Sequence, residues 1–288
     1  MSKKMRAWMT VGGILLAIGL VLGLIGLAMG AWNYRDQWTV SVHGNRFGLW
    51  LDEDGNANLG LAEEDSGQMH EIASYDSSED VRVLNINADV SSITIQRGDQ
   101  YRLQVGGKMA DTVTNTLEDG TWQITQKSKN SLKNTSGNSA TVIITIPEEV
   151  TFKKISCELG VGELDAERLV AEEIDLESGV GDLTVDGVQC TKLSVSCGTG
   201  SADIGASAIS ENADLENGIG DLTLILEGTE KDYNYDMSCG MGSIRIGNLL
   251  DVDGMAGDQT VDQKKDCWIR ADSGMGDVTI DFTENSVQ

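Results

Sequence analysis

Apolar and polar residues alternate with little interruption from Val81 onward. VRVLNINADVSSITIQRG, YRLQV, TWQIT and ATVIITI each carry apolar side chains at alternate positions. A period of two puts those side chains on one face of an extended chain, so these segments predict strands. Gly, Asp and Asn stand between them, and these residues accept tight bends. No stretch after residue 33 sustains an apolar stripe at helical spacing, and the predicted class is all-β.

Superimposed on the alternation is a repeat. DLESGVGDLTV at 175–185 returns as DLENGIGDLTL at 214–224 and as RADSGMGDVTI at 270–280. Aligned on Gly-x-Gly, six copies place their glycines at Gly160 and Gly162, Gly179 and Gly181, Gly198 and Gly200, Gly218 and Gly220, Gly240 and Gly242, and Gly274 and Gly276. The first glycines are 19, 19, 20, 22 and 34 residues apart. Three residues before the first glycine stand Cys157, Leu176, Val195, Leu215, Met237 and Ala271. Four after it stand Leu164, Leu183, Ala202, Leu222, Ile244 and Val278, and six after it Ala166, Val185, Ile204, Leu224, Ile246 and Ile280. Columns that stay apolar at a fixed period predict a β-solenoid, or β-helix-like stack, with one coil per copy and these side chains in a shared interior. The glycines are then its structural corners, where a chain with a Cβ resists the bend. The expected stacking follows chain order, with an insertion before the last coil.

The first thirty-odd residues follow a different pattern. VGGILLAIGLVLGLIGLAMGA at 11–31 is uncharged and apolar, long enough at roughly 20 residues to cross a bilayer. Lys3, Lys4 and Arg6 precede it and every acidic residue follows it, which predicts a cytoplasmic N-terminus and an extracytoplasmic remainder. The expected organisation is a cytoplasmic tail over 1–7, a transmembrane helix over 8–32, an acidic spacer over 33–80 and the β-repeat domain over 81–284. The alternative is a signal peptide cleaved near Ala28-Met29-Gly30. Gly12, Gly19, Gly23, Gly26 and Gly30 share one helical face and are candidates for contact with another membrane helix. Within the spacer, TVSVHGNRFGLWL at 39–51 can pair as a short hairpin.

Charge narrows the partners. The chain carries 46 acidic and 21 basic residues, so the 18 basic residues beyond the apolar run leave that part at −28. Nucleic acid is excluded as a partner, because phosphate binding needs a basic footprint. The two histidines, His43 and His70, lie outside the repeats, which excludes Ser-His-Asp, Cys-His and histidine-rich zinc chemistry within them. No cofactor is implied. Two columns alternate acid with serine: Glu158, Glu177, Ser196, Glu216, Ser238 and Asp272, then Glu163, Asp182, Ser201, Asp221, Ser243 and Asp277. No metal site is expected. The weak candidate for calcium is Glu158, Glu163, Glu177 and Asp182, the only four acids that chain order puts in adjacent coils. Of the five cysteines, Cys197 and Cys239 share a column but have a coil between them, so mostly free thiols are expected.

LNINADVSSITIQRG, the TIPEEVTFKKI step and the G-[VIM]-G-[DES] corners resemble the bacterial "putative adhesin" domain family of unknown function over residues 81–283. The resemblance implies an all-β repeat domain at the cell surface, commonly behind one membrane helix, and brings no catalytic residues with it. The expected role is a non-enzymatic, membrane-anchored surface binding or scaffold module. The alternatives are an envelope-stress sensor or regulatory subunit partnering another membrane protein, and an acid-only glycoside-active enzyme.

Overall fold

A computed structural model describes residues 37–42, 45–51, 57–61, 69–127, 139–252 and 257–283. The apolar run, its glycine face and the cytoplasmic tail lie outside the described residues. Among the described residues no helix is long and apolar enough to cross a membrane.

Two units make up the chain. In the first, Gln37–Val42, Asn45–Leu51 and Ala57–Leu61 form an antiparallel three-stranded meander. The expected hairpin is its first two strands, and the third strand had no sequence signal beyond a short ANLGL. The second unit holds a sheet of seventeen strands, and it begins before Val81, since His70–Tyr75 pairs antiparallel with Tyr101–Gly106.

The repeats lie over one another as parallel layers. Phe152–Ala166 pairs with the next copy at an offset of 19 on both sides of its corner, Cys157 with Leu176 and Leu164 with Leu183. Leu183–Thr199 continues onto Ala202–Ile219, where a bulge between Cys190 and Lys192 changes the offset from 19 to 20. That single irregularity accounts for the 20-residue interval.

The corners need both glycines, for different reasons. The second has φ between +134° and +151° in all six copies, a conformation that side chains avoid. A Cβ on Gly181 would also lie 1.6 Å from the carbonyl oxygen of Gly162 in the neighbouring layer. The first glycine has ordinary φ, but a Cβ on Gly179 would sit 2.6 Å from the Gly160 oxygen. Layers approach so closely at this edge that no side chain fits between them.

All eighteen residues of the three apolar columns are buried, at 2 % exposure or less. Each contributes on the order of 1–3 kcal/mol of hydrophobic stabilisation before chain entropy is set against it. Aromatic rings gather at the two ends of the stack. Trp122 stands edge-on to Tyr75 and Tyr101, and Tyr233 packs on Phe282 at the far end. Trp122, Tyr233 and Tyr235 are core residues, and Trp268 is half-buried beneath Arg270.

The expected chain-order stacking is corrected at both ends. The Gly218 layer pairs with the Gly274 layer, through Leu215 with Ala271 and Leu222 with Val278. The Gly240 layer pairs with the other face of the Gly274 layer, through Met237 with Ala271. The 34-residue interval explains this: Leu250–Val252 and Gly257–Val261 run back antiparallel along the outer edge of the Gly240 layer. The chain then re-enters one layer further in. The opposite end mirrors it. Thr121–Gln126 and Ala140–Pro147 lie outside Val83–Gly98, and Val113–Glu118 and Tyr101–Gly106 cover them antiparallel.

Val83–Gly98 is itself a seventh copy of the corner, paired residue for residue with Lys154–Ala166. Asp89-Val90-Ser91 stands there in place of Gly-x-Gly. Its corner is held instead by Gln126, whose Oε1 accepts from the Val90 N–H at 2.8 Å. Leu84, Ile86, Ala88, Ile93 and Ile95 repeat the spacing of Ile155, Cys157, Leu159, Leu164 and Ala166, the signal by which it is legible.

Candidate functional site

The residue between the two corner glycines has both neighbours bent around it and projects outward. In spatial order these residues are Val161, Val180, Thr199, Ile219, Met275 and Met241, each in register with the next. Val161, Val180, Ile219 and Met241 are 45–50 % exposed, and they are four of the six large hydrophobic residues exposed among the described residues. One exposed valine is ordinary, but a row of them in register is a patch that marks contact surfaces. With layers about 4.8 Å apart, the ridge runs about 24 Å along the stack. Sequence reasoning missed it, although x in G-x-G is apolar in five of six copies.

Bare glycine columns lie on either side of the ridge, and beyond them stand the two acidic columns. Across the Gly198, Gly218 and Gly274 layers, the glycine column and the side chains beside it form a shallow open groove that includes Glu216 and Asp272. In spatial order the acidic columns read acid, acid, Ser, acid, acid, Ser. The expectation that only Glu158, Glu163, Glu177 and Asp182 fall in adjacent layers is therefore corrected. Glu216, Asp221, Asp272 and Asp277 do so as well, because the Gly274 layer sits beside the Gly218 layer.

Several of these carboxylates have structural work. Asp182 Oδ1 accepts the Ser201 N–H of the next layer at 2.8 Å, and Asp221 Oδ1 accepts that of Asp277 at 3.0 Å. Asp277 Oδ1 in turn accepts from the Ser243 N–H at 2.8 Å and its hydroxyl at 2.9 Å. Each carboxylate thus satisfies a corner N–H that the bend removes from the ladder. Glu158 accepts from the Asn87 amide. Among the described residues, no three of His, Cys, Asp and Glu come together as a metal-holding group.

The inner side of the corner was also unanticipated. The residue just before the first glycine is buried in every copy: Leu159, Ser178, Cys197, Asn217, Ser273 and Cys239. Four of its polar members face corner carbonyls, with Ser178 Oγ 3.5 Å and Cys197 Sγ 3.4 Å from Gly181 O, Asn217 Nδ2 donating to Gly220 O, and Cys239 Sγ 3.4 Å from Gly276 O. The Ser273 hydroxyl is buried without a hydrogen-bond partner among the described residues. The shared parity with the apolar column two residues earlier is the signal that reveals it.

All five cysteines are buried free thiols. Cys197 and Cys239 are further apart than chain order implies, with the Gly218 and Gly274 layers both between them. Burial pushes the Cys157 and Cys190 thiols up to about 12 and that of Cys267 up to about 11. Cys197 and Cys239 are raised too, by burial first and then by Asp182 and Asp277. Burial that raises a thiol disfavours the thiolate, its nucleophilic form, at neutral pH.

The family model for Toastrack DUF4097 matches residues 81–288. Among solved structures, one described as a "putative cell adhesion protein" from Clostridium sporogenes is 16% identical, with a TM-score of 0.45, covering 75% of this chain and 99% of that one. Another, a "putative adhesin" from Bacteroides fragilis, is 15% identical, with a TM-score of 0.43, covering 75% of this chain and 98% of that one. No curated protein matches the chain.

Proposed function

The chain belongs to the Toastrack DUF4097 family, and from that premise we propose that it is a non-enzymatic binding module, a β-solenoid held outside the cell by the apolar segment 8–32. The observation that carries the binding reading is the exposed ridge of Val161, Val180, Ile219 and Met241. A folded domain that holds four large apolar side chains in water, in register, keeps them there at a cost in solubility that a binding surface explains. A non-catalytic role is supported by the acids, which recur with the repeat and in three cases accept backbone N–H groups. The outward placement is supported by Lys3, Lys4 and Arg6 ahead of the apolar run.

Two measurements test this. Protease added to intact cells is expected to remove the repeat domain, and full protection overturns the topology. A photo-crosslinking residue at position 180, activated on intact cells, is expected to give adducts that disappear on Ile219→Lys. Absence of any adduct overturns binding at the ridge.

A sensor or regulatory subunit is the second reading, favoured by Gly12, Gly19, Gly23, Gly26 and Gly30 on one helical face. Leucine at Gly19, Gly23 and Gly26 is expected to abolish co-purification of a membrane partner if that reading holds, and to leave the position-180 adducts intact if it does not.

A further inference from the structure

We propose that the ridge receives a basic amphipathic helix laid along the axis of the stack. This rests on the binding reading above and adds to it the chemistry and shape of the occupant.

Spacing selects the shape. Ridge side chains recur about every 4.8 Å. Apolar residues at alternating steps of three and four along an α-helix recur about every 5.3 Å, whereas same-face residues of an extended strand recur about every 6.7 Å. Over the five intervals from Val161 to Met241 a helix slips by about 2 Å, less than half a layer, and a strand by about 9 Å, two layers. A ridge of about 24 Å matches about 16 helical residues. The glycine columns beside the ridge add room, since bare backbone on both sides leaves troughs into which a helix's side-chain rows settle.

Charge selects the chemistry. Eight carboxylates flank the ridge: Glu158, Glu177, Glu216 and Asp272 on one side, and Glu163, Asp182, Asp221 and Asp277 on the other. A second copy of this chain would bring the same eight charges against them, and an anionic bilayer would be repelled likewise. An apolar row bordered on both sides by Lys or Arg is complementary to all three stripes at once. Thr199, exposed in the middle of the row, is the one member that is not hydrophobic.

The test uses the full chain in zwitterionic phosphatidylcholine nanodiscs, with empty discs as the blank. The probe is a fluorescent 18-residue peptide with Leu at steps of three and four and Lys on both flanks, read by anisotropy. Saturable binding is expected, at least ten-fold tighter than that of a peptide of the same composition in scrambled order. Val180→Ser with Ile219→Ser is expected to weaken it at least ten-fold at unchanged Tm. Thr199→Val is expected to strengthen it. Glu158→Gln, Glu177→Gln and Glu216→Gln together are expected to weaken it and flatten its dependence on salt.

Equal binding of the scrambled peptide overturns the proposal, because charge alone then suffices. So does an alternating Val/Lys peptide that binds as well as the helical one, although the position-180 adducts on cells would still stand. Self-association in sedimentation that Thr199→Val strengthens overturns it in favour of a second copy. If the double serine variant folds poorly, Thr199→Val and the scrambled peptide decide the matter between them.

Discussion

Gly181 shows what one residue does in this architecture. Its φ of +135°, and the 1.6 Å that would separate a Cβ there from the Gly162 oxygen, leave no relaxed place for any side chain. Gly181→Ala is expected to destabilise the domain by about 3 kcal/mol or more, since the strained φ and the interlayer clash add. Thr199, exposed between the two glycines of the next layer, serves as the control, and Thr199→Ala is expected to stay within about 0.5 kcal/mol. Urea denaturation of both variants checks the contrast; a Gly181→Ala loss as small as that of Thr199→Ala would show that the layers can separate locally. Glycine at this position was legible in the sequence. The neighbour that forbids a side chain was not, because Gly162 lies 19 residues away and meets it only through the parallel register.

At the scale of elements, the antiparallel return strands are what stops the stack. A parallel layer at the end of a stack presents unpaired N–H and C=O groups, a template for another chain. Gly257–Val261 covers Asn234–Met241 with five register pairs, and Leu250–Val252 covers Ile244–Ile246 with three. Gln259→Pro with Thr260→Pro removes at least one ladder donor whichever of the two N–H groups faces inward. The expected outcome is a loss on the order of 3 kcal/mol together with concentration-dependent self-association in sedimentation velocity. A variant that remains monomeric would mean that the end layer is protected by something other than these strands. The 34-residue interval told from sequence that something was inserted. It carried no sign that the insertion covers the edge and sends the chain back one layer inward.

For the whole molecule, the residues beyond the apolar run carry a charge of −28, and screening is its first consequence. Two quartets of acids in adjacent layers now stand where chain order implied one. Asp182, Asp221 and Asp277 nevertheless already hold backbone N–H groups of the next layer. Millimolar calcium is therefore expected to raise Tm no more than magnesium does, as screening alone would. A calcium-specific rise that disappears in Glu177→Gln with Asp182→Asn, or in Glu216→Gln with Asp272→Asn, would establish a true ion site instead.

Alternation and the recurring Gly-x-Gly are local, and they were enough to determine an all-β repeat domain, the six corners and the eighteen buried column positions. Each rests on the physics of a short segment: side-chain parity along a strand, and backbone angles that only glycine reaches. Layer order, the second acidic quartet, the seventh corner at Asp89-Val90-Ser91 and the distance between Cys197 and Cys239 were decided by the tertiary structure alone. A repeat period states which residues are equivalent and leaves open which equivalent copy lies beside which. That choice is made at the ends of the stack, where return strands cover the edges and the last copy is inserted between two earlier ones. The ridge stands between these cases. Its residues are visible in the G-x-G motif, but only the stacking turns separate side chains, five of the six apolar, into one continuous surface.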